Sequence, residues 1–578
     1  TCQFDWPVSA RAAGEYRRLL SLWTGRHTPT IPPPWWQVAM EGVDMRRTVI
    51  GLALLAIVSA CAAPAPGPVA GSPGAAAAPV TPAPQRGGSV VVAATSDRGH
   101  FNTAITTAGG THFVAGPLYN GLVALDEKGD PQPDLAEKWV ISDGGRTYTF
   151  TLRSGVKWHD GKDFSSADVK FSFEQVLLKY HARTKAGLEA VLAGIDAPSP
   201  TTVVFRFKQP YGPLLQRLDN IEAPIVAKHV YEGTDPTAAA ANLKPVGTGP
   251  FKLAEYVKSD KVRFVRNEAY FKPGLPYLDE LIFRIIPQAA TQVAALEKGE
   301  IDFLSGVPGP DLARLRADPN LVLQKSGAGS GGSFCISTLI FNLSNPVLAK
   351  LETRQALAYA IDRQQLLEQV QFGQGRVAVS AIASTIPWAH NANVTKYPLD
   401  RAKAGQLLDT AGLAKGANGM RATLNFVHAT SFAKYGELMK QHLAPIGIDV
   451  TLTALEVNAA NDRVFMKKDF DLGIASYCNG PDPEIGVRRV YVSSNIGPIL
   501  FSNGAGYRNA KVDELFDKAA ASADRADRGA TYREIQDILA KDVPYLWLVE
   551  TEGYRAWRKE YQGFTYWTST LAESASKK

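Results

Sequence analysis

The feature that most constrains this chain is a short apolar run near its beginning, flanked by export signals. Met45 is followed by two arginines, then by the uncharged, largely apolar residues 48–58 and two small residues. A basic, an apolar and a small-residue region in this order are typical of a secretion signal. The apolar run is too short to span a bilayer as a helix. We therefore expect the folded part of the chain to work outside the cytoplasmic membrane.

Cys61 follows this signal directly, and residues 58–61 resemble the lipobox of bacterial lipoproteins. The resemblance implies a signal peptide over 45–60, cleavage before Cys61 and a diacylglyceryl group on its thiol. The alternative is a cysteine that happens to follow a generic signal peptide. After Cys61 the chain consists almost entirely of Ala, Pro, Gly, Val, Ser and Thr up to residue 84. Because this composition buries too little surface to fold, we expect a flexible tether over 61–85.

Residues 1–44 precede the signal, although secretion signals begin at the N-terminus. We expect this stretch to be a non-native or over-extended leader, with translation beginning at Met45. The alternative is a real cytosolic extension on a signal anchor.

The body after the tether has about 490 residues, which is too long for one core, so we expect two or three lobes. The whole chain carries 62 basic and 56 acidic residues, and no basic run is interleaved with aromatics. This composition argues against nucleic acid as a partner.

The body contains two cysteines, Cys335 and Cys478, once Cys2 in the leader and Cys61 are set aside. Two cysteines in an oxidising compartment are a natural disulfide pair. Two separately buried thiols are the alternative that the residues leave open.

Helices and strands alternate along the body, which predicts a mixed α/β fold. Residues 147–152 and 202–207 alternate as half-buried strands, and 352–370 carries the apolar stripe of a helix. An apolar strand over 471–477 ends in the loop 478–484.

No motif in the body predicts catalysis. The sequence contains neither H-E-x-x-H nor G-x-S-x-G, and its nine histidines lack ligand spacing. We expect no enzymatic activity, no metal and no cofactor.

Seven segments of the body, in this order, resemble the family 5 extracellular solute-binding proteins, the oligopeptide- and dipeptide-binding group of ABC importers. The segments are 116–123, 133–139, 148–161, 164–173, 247–251, 354–363 and 478–483. The resemblance covers roughly residues 86–563.

The resemblance implies an α/β fold of two lobes that clamp a ligand by hinge closure, with an accessory domain inserted in the first lobe. The implied ranges are 86–125, 250–333 and 546–578 for the first lobe, 126–249 for the accessory domain and 334–545 for the second lobe. The closed form would dock on an inner-membrane permease, and we expect a monomer.

The resemblance also concerns the two cysteines and the loop that follows the second. In the oligopeptide-binding branch, cysteines at the positions of Cys335 and Cys478 are paired, which favours the disulfide. Peptide binders place an aspartate two residues after the second cysteine, where it meets the ligand's ammonium group. This chain has Gly480 there, and Asp482 is the nearest carboxylate. Because a buried ammonium without a carboxylate is costly, the departure argues against ordinary peptides as ligands.

The candidate ligand-binding residues come from three places in the chain. They are Tyr477, Asn479 and Asp482 on the loop, Trp388, Ser333 and Phe334 on the second lobe, and Asn102 and His100 on the first lobe. Three have simpler interpretations: Trp388 packs beside Pro387, Asp482 caps the turn before Pro483, or His100 is an ordinary surface residue.

The predicted function is therefore an extracytoplasmic lipoprotein that captures a peptide, or a peptide-like or opine-like small solute, and delivers it to a permease. It would be held by lipid at the membrane, in the periplasm or on the cell surface. The alternatives are a secreted lipoprotein hydrolase, or a sensor or chaperone on the same fold.

Overall fold

The computed structural model describes residues 84–97, 99–326, 335–565 and 570–578. The predicted leader, the signal peptide, Cys61 and the tether up to residue 83 lie outside these residues, as do Ser333 and Phe334. Within the described residues no helix combines the length and the apolar character needed to cross a membrane.

The first of three main sheets has seven strands and is built around the buried strand Ser89–Ala94. In spatial order the strands are Leu321–Lys325, Tyr554–Arg558, Phe303–Leu304, Ser89–Ala94, Glu280–Ile285, Lys261–Arg266 and Phe251–Val257. Ser89–Ala94 runs parallel to Glu280–Ile285, so that Val90 pairs with Leu281. Because Val90 and Val92 are fully buried, this strand anchors the core of its sheet.

A second sheet has four antiparallel strands. In spatial order they are Ala136–Ser142, Thr147–Leu152, Thr202–Phe207 and Leu192–Ser199. The two strands predicted by alternation, 147–152 and 202–207, are confirmed at both ends. Tyr148 and Phe150 point into a hydrophobic core that this sheet shares with the seven-stranded sheet. Two short strands, Val123–Leu125 and Pro131–Pro133, pair with each other and precede this sheet in the sequence.

The helices of this part of the chain are short. They are Gly109–Ala115, Ser166–Phe171, Leu178–Tyr180, Ala182–Leu188, Lys228–Tyr231, Ala289–Lys298 and Leu312–Ala317. A last strand pair, Tyr561–Gln562 with Ser576–Lys577, completes it.

The third sheet has six strands of mixed direction. In spatial order they are Gly375–Val377, Tyr545–Thr551, Cys335–Phe341, Leu472–Cys478, Ala422–Ala429 and Ile448–Leu455. Hydrophobic cores lie on both faces of this sheet. We call residues 335–551 the second lobe and the other described residues the first lobe.

Among the described residues of this lobe, nine α-helices of at least four residues surround the six-stranded sheet. They are Leu351–Ala360, Arg363–Gln369, Arg401–Thr410, Ala433–Leu443, Val457–Asn461, Pro483–Gly486, Arg488–Tyr491, Ala510–Ala521 and Arg525–Asp542. The single helix predicted over 352–370 is wrong, because the backbone is extended at Ile361 and Asp362. The Asp362 side chain accepts a hydrogen bond from the Gln365 backbone N–H and so begins a new helix.

A disulfide joins Cys335 to Cys478, which face each other directly on two antiparallel strands. It therefore connects the first strand of the second lobe to the end of the strand that leads into the loop 478–484.

The described ends of the two crossings between the lobes lie side by side. Leu321–Lys325 pairs with Tyr554–Arg558 in the first lobe, and the Ser326 N–H donates to the Gly553 carbonyl. At the second lobe, the Thr551 hydroxyl donates to the Cys335 carbonyl at 3.3 Å. The predicted boundary between 545 and 546 is wrong, because strand Tyr545–Thr551 still pairs within the six-stranded sheet. The chain leaves this lobe after Thr551.

Candidate functional site

The loop after strand Leu472–Cys478 turns through a left-handed glycine. Gly480 has φ of 69°, and a Cβ at this position would lie 3.3 Å from the Ile485 side chain. Residues with side chains rarely adopt such a φ, so the turn favours glycine. The backbone conformation of this loop therefore disfavours an aspartate at position 480.

Asp482 is buried and its carboxylate is engaged within the second lobe. Its Oδ1 accepts a hydrogen bond from the Glu484 N–H at 2.9 Å, which caps the helix Pro483–Gly486. The same oxygen accepts from Arg528 Nη2 at 2.7 Å. Burial lowers the pKa of Arg528, but the charges and hydrogen bonds of Asp482 and Tyr532 together more than offset this, so the pKa lies above its usual value. The geometry therefore gives Asp482 a capping and ion-pairing role.

Trp388 reaches the same arginine. The Arg528 and Arg525 guanidinium carbons lie 5.4 Å and 5.2 Å from the centre of its ring, within cation–π range. Tyr532 meets the ring edge-on at 5.8 Å. Trp388 and Asp482, far apart in sequence, are thus brought together through Arg528.

Tyr477 and Asn479 lie on either side of Cys478 and are both buried. The Tyr477 ring packs edge-on against Phe465 and Tyr545. Burial raises the pKa of its hydroxyl well above the usual value. The Asn479 carboxamide oxygen accepts from the Ala383 N–H at 2.7 Å and so ties the loop to the neighbouring segment.

The two candidates from the first lobe lie elsewhere. Asn102 is fully buried, accepts from the Ala104 N–H and donates to the Asn242 side chain at 2.9 Å. His100 lines a very small cavity beside Asp97, and partial burial lowers its pKa. Among the contacts of the described residues, none joins Asn102 or His100 to the Arg528 cluster.

A buried arginine connects the two lobes beside the loop. Arg217 Nη2 donates to the Glu484 carbonyl at 3.1 Å, and Nη1 donates to the Arg183 carbonyl at 3.3 Å. Its guanidinium lies directly against Gly187, where a Cβ would come within 2.3 Å of it. Burial raises the pKa of the Glu484 carboxyl to about 7. Contact between the lobes therefore desolvates a group of charged side chains.

Next to this contact, an arginine of each lobe feels the charge of the other and of Glu222. Arg183 Nε, from helix Ala182–Leu188, lies 2.8 Å from Glu222 Oε1. Burial, and then the charge of Arg183, lower the pKa of Arg489 on helix Arg488–Tyr491 of the second lobe. Glu222 Oε2 is buried and accepts no hydrogen bond from the described residues. Burial, and then the charge of Glu222, raise the pKa of the neighbouring Asp219 to about 7, so this second acid carries less negative charge than an ordinary carboxylate. The arrangement therefore suits an anionic group.

A cavity of about 230 Å³ opens on the second lobe near the same loop. It lies at the carboxyl ends of the parallel strands Ala422–Ala429 and Leu472–Cys478, an edge where α/β sheets commonly bind ligands. Its lining is mostly apolar, with His428, Asn461 and Ser476 as polar groups. The cavity has the character of a small ligand pocket.

The residues that sequence reasoning missed are mainly arginines: Arg183, Arg217, Arg489 and Arg528. Of these four, only Arg489 could have been suspected from the sequence, because it closely follows the predicted ligand loop. The others are distant in sequence from the groups they meet. Among the described residues, no cluster of three His, Cys, Asp or Glu is placed to hold a metal.

Comparison with known proteins gives consistent matches. Residues 130–498 match the model of the bacterial extracellular solute-binding proteins, family 5 middle. The glutathione-binding protein GsiB of Shigella dysenteriae is 30% identical over 457 residues, covering 78% of this chain and 86% of that protein.

Solved structures of the same kind superpose over most of the chain. The periplasmic binding protein DppA of Helicobacter pylori, in complex with peptide STSA, has 27% identity and a TM-score of 0.73, covering 85% of this chain and 98% of that one. The oligopeptide-binding protein AppA of Bacillus subtilis, in complex with a nonapeptide, has 26% identity and a TM-score of 0.72, covering 86% and 100%.

Proposed function

We propose that this chain, which belongs to the family 5 extracellular solute-binding proteins, captures a small peptide-like solute that carries an additional anionic group. The observation that carries the proposal is the ion pair between Arg183 and Glu222, together with the charge interaction of both groups with Arg489 of the other lobe. Guanidinium groups bind carboxylates through two parallel hydrogen bonds. A carboxylate of the solute between these arginines offsets their repulsion and favours the closed lobes.

The loop supports the same ligand class. Gly480 supplies no carboxylate for a ligand ammonium group, and Asp482 is paired with Arg528. Glu222 Oε2, buried and unpaired among the described residues, is the acceptor beside the arginines. Glutathione, the ligand in the name of a 30% identical relative, is a peptide with two carboxylates and one ammonium group. This charge pattern matches two arginines and one glutamate.

The test is calorimetric titration of the ligand-free full chain with glutathione, an acidic tripeptide and trialanine. We expect the acidic ligands to bind more tightly than trialanine. Arg489→Gln should weaken their binding by roughly ten- to a hundredfold, since a hydrogen bond to a charged group contributes about 1.5–3 kcal/mol. Arg508→Gln, which removes an exposed arginine of the same lobe, should change little. Tightest binding of trialanine, unaffected by Arg489→Gln, would contradict the proposal.

We also propose that the protein is held to the membrane by lipid on Cys61, acts as a monomer with an ABC permease and is not an enzyme. The sequence from Met45 to Cys61 supports the anchor. Cys61→Ser should release the protein from membranes into the soluble fraction, because the acyl chains supply the attachment. Unchanged membrane association after cell fractionation would count against a lipid at Cys61.

A further inference from the structure

A second cavity, of about 280 Å³, lies within the second lobe. It is bounded by the end of the edge strand Gly375–Val377, the last turns of helix Arg525–Asp542 and the segment 395–398. None of its lining residues lines the cavity near the loop. At ~30 Å³ for each water-sized group, it has room for roughly nine such groups.

Arg363 is a half-buried cation at the wall of this cavity. Its Nη1 donates to the carbonyls of Ala378 at 2.9 Å and Trp547 at 3.4 Å, and Nη2 donates to the Tyr397 carbonyl at 3.0 Å. A guanidinium has five N–H groups, so two of them make no hydrogen bond to a described residue.

All three partners of Arg363 are neutral carbonyls. No acidic side chain among the described residues forms an ion pair with it, and burial alone lowers its pKa. Carbonyl dipoles orient the guanidinium but do not neutralise it. Burying a charge without a counter-charge is unfavourable, so this position gains from an anion.

The rest of the lining defines what kind of anion fits. Lys396 adds a second cation, and no described residue of the lining is acidic. Most of the remaining wall is apolar, formed by residues such as Val379, Leu539 and Trp547. The cavity thus combines a cationic side with an apolar body of small volume.

We propose that this cavity is a binding site for a small organic monoanion with a short apolar body, such as a medium-chain carboxylate. The carboxylate takes the two unused N–H groups of Arg363, with Lys396 nearby. The aliphatic part packs against Val379, Leu539 and Trp547. This site lies within one lobe and is separate from the arginines that lie between the lobes.

The experiment titrates the ligand-free full chain with hexanoate and, as an uncharged control of the same length, hexanamide. We expect hexanoate to bind roughly ten- to a hundredfold more tightly, because the amide oxygen also accepts hydrogen bonds but carries no charge to neutralise Arg363. Lys396→Glu should weaken hexanoate alone, and Val379→Phe should remove both ligands by filling the cavity. Lys415→Glu, at an exposed lysine of the same lobe, is the matched charge control.

A crystal soaked with 6-bromohexanoate gives the position of the bound molecule through its bromine. Bromine against Val379, Leu539 and Trp547, at the apolar end of the cavity, supports the proposal. Bromine between the lobes, or equal binding of hexanoate and hexanamide, overturns it. Hexanoate binding that is unchanged in both Lys396→Glu and Val379→Phe overturns it as well. These two variants leave the carbonyl contacts of Arg363 intact, so the test does not depend on a variant that disturbs them.

Discussion

Asp482→Asn separates the structural role of this residue from a role in ligand binding. Asparagine keeps the shape of the side chain and an oxygen that caps the Glu484 N–H. It removes the negative charge that faces Arg528 at 2.7 Å. The variant therefore changes one property of the site and preserves the turn.

The burial of the pair determines the size of the effect. The Asp482 and Arg528 side chains are 1% and 4% exposed, so water does not replace the lost partner. Breaking a buried ion pair by removing one charge costs about 3–5 kcal/mol of unfolding free energy. Arg528 retains hydrogen bonds to the Ala519 carbonyl and the Tyr532 hydroxyl, so we expect the lower end, about 3 kcal/mol.

The assay is urea unfolding followed by circular dichroism. The matched control is Asp517→Asn, which removes the same charge from a pair with Arg488 in which Asp517 is 65% exposed. An exposed pair contributes about 0–1 kcal/mol, so the control should unfold almost as the unchanged protein does. In Asp482→Asn/Arg528→Met both charges are gone, and much of the lost stability should return.

Titration of the same variants with peptides can refute the structural role of Asp482. If Asp482→Asn unfolds like the unchanged protein, and micromolar binding of simple peptides disappears, the structural interpretation fails. The loop would then present Asp482 to the ligand ammonium group in place of an aspartate at position 480. Such a result would return this protein to the binders of ordinary peptides.

Two further predictions concern the cysteines and a buried acid. Thiol labelling of the denatured, unreduced protein should leave Cys335 and Cys478 unmodified, and their full labelling would show that the bridge is absent. Burial, and then the charge of Glu222, raise the pKa of Asp219 from 3.8 to about 7. The folded state therefore binds this proton more tightly, and the free energy of unfolding should fall between about pH 4 and 7. Asp219→Asn should reduce that fall in urea titrations at pH 5 and 8, and an identical pH dependence would disprove it.

Strands in which apolar and polar residues alternate were predictable, because this period of two can be read from neighbouring residues alone. Thr147–Leu152 and Thr202–Phe207 have the same ends in sequence and structure. The break at Asp362 was missed because the apolar stripe continues across it. The cap that begins the second helix depends on one side chain and leaves no trace in the periodicity.

The site was harder to predict than the fold, because its charged groups meet over long sequence distances. Arg217 and Glu484 are 267 residues apart, and Arg528 lies 46 residues beyond Asp482. Side-chain contacts of this kind impose no spacing on the chain. The sequence located the loop and its missing carboxylate, while the arginines that define the ligand chemistry became visible only in three dimensions.

The neighbouring ends of the two crossings make the second lobe a segment that can be exchanged as a unit. Its two junctions, near Lys325 and Tyr554, are paired neighbours in one sheet, and Cys335 and Thr551 are hydrogen bonded at the other end. A segment whose ends lie together can be exchanged without moving the rest of the chain, as tolerated domain insertions show. Residues 335–551 can therefore be recombined between relatives in one step, while the seven-stranded and four-stranded sheets stay unchanged.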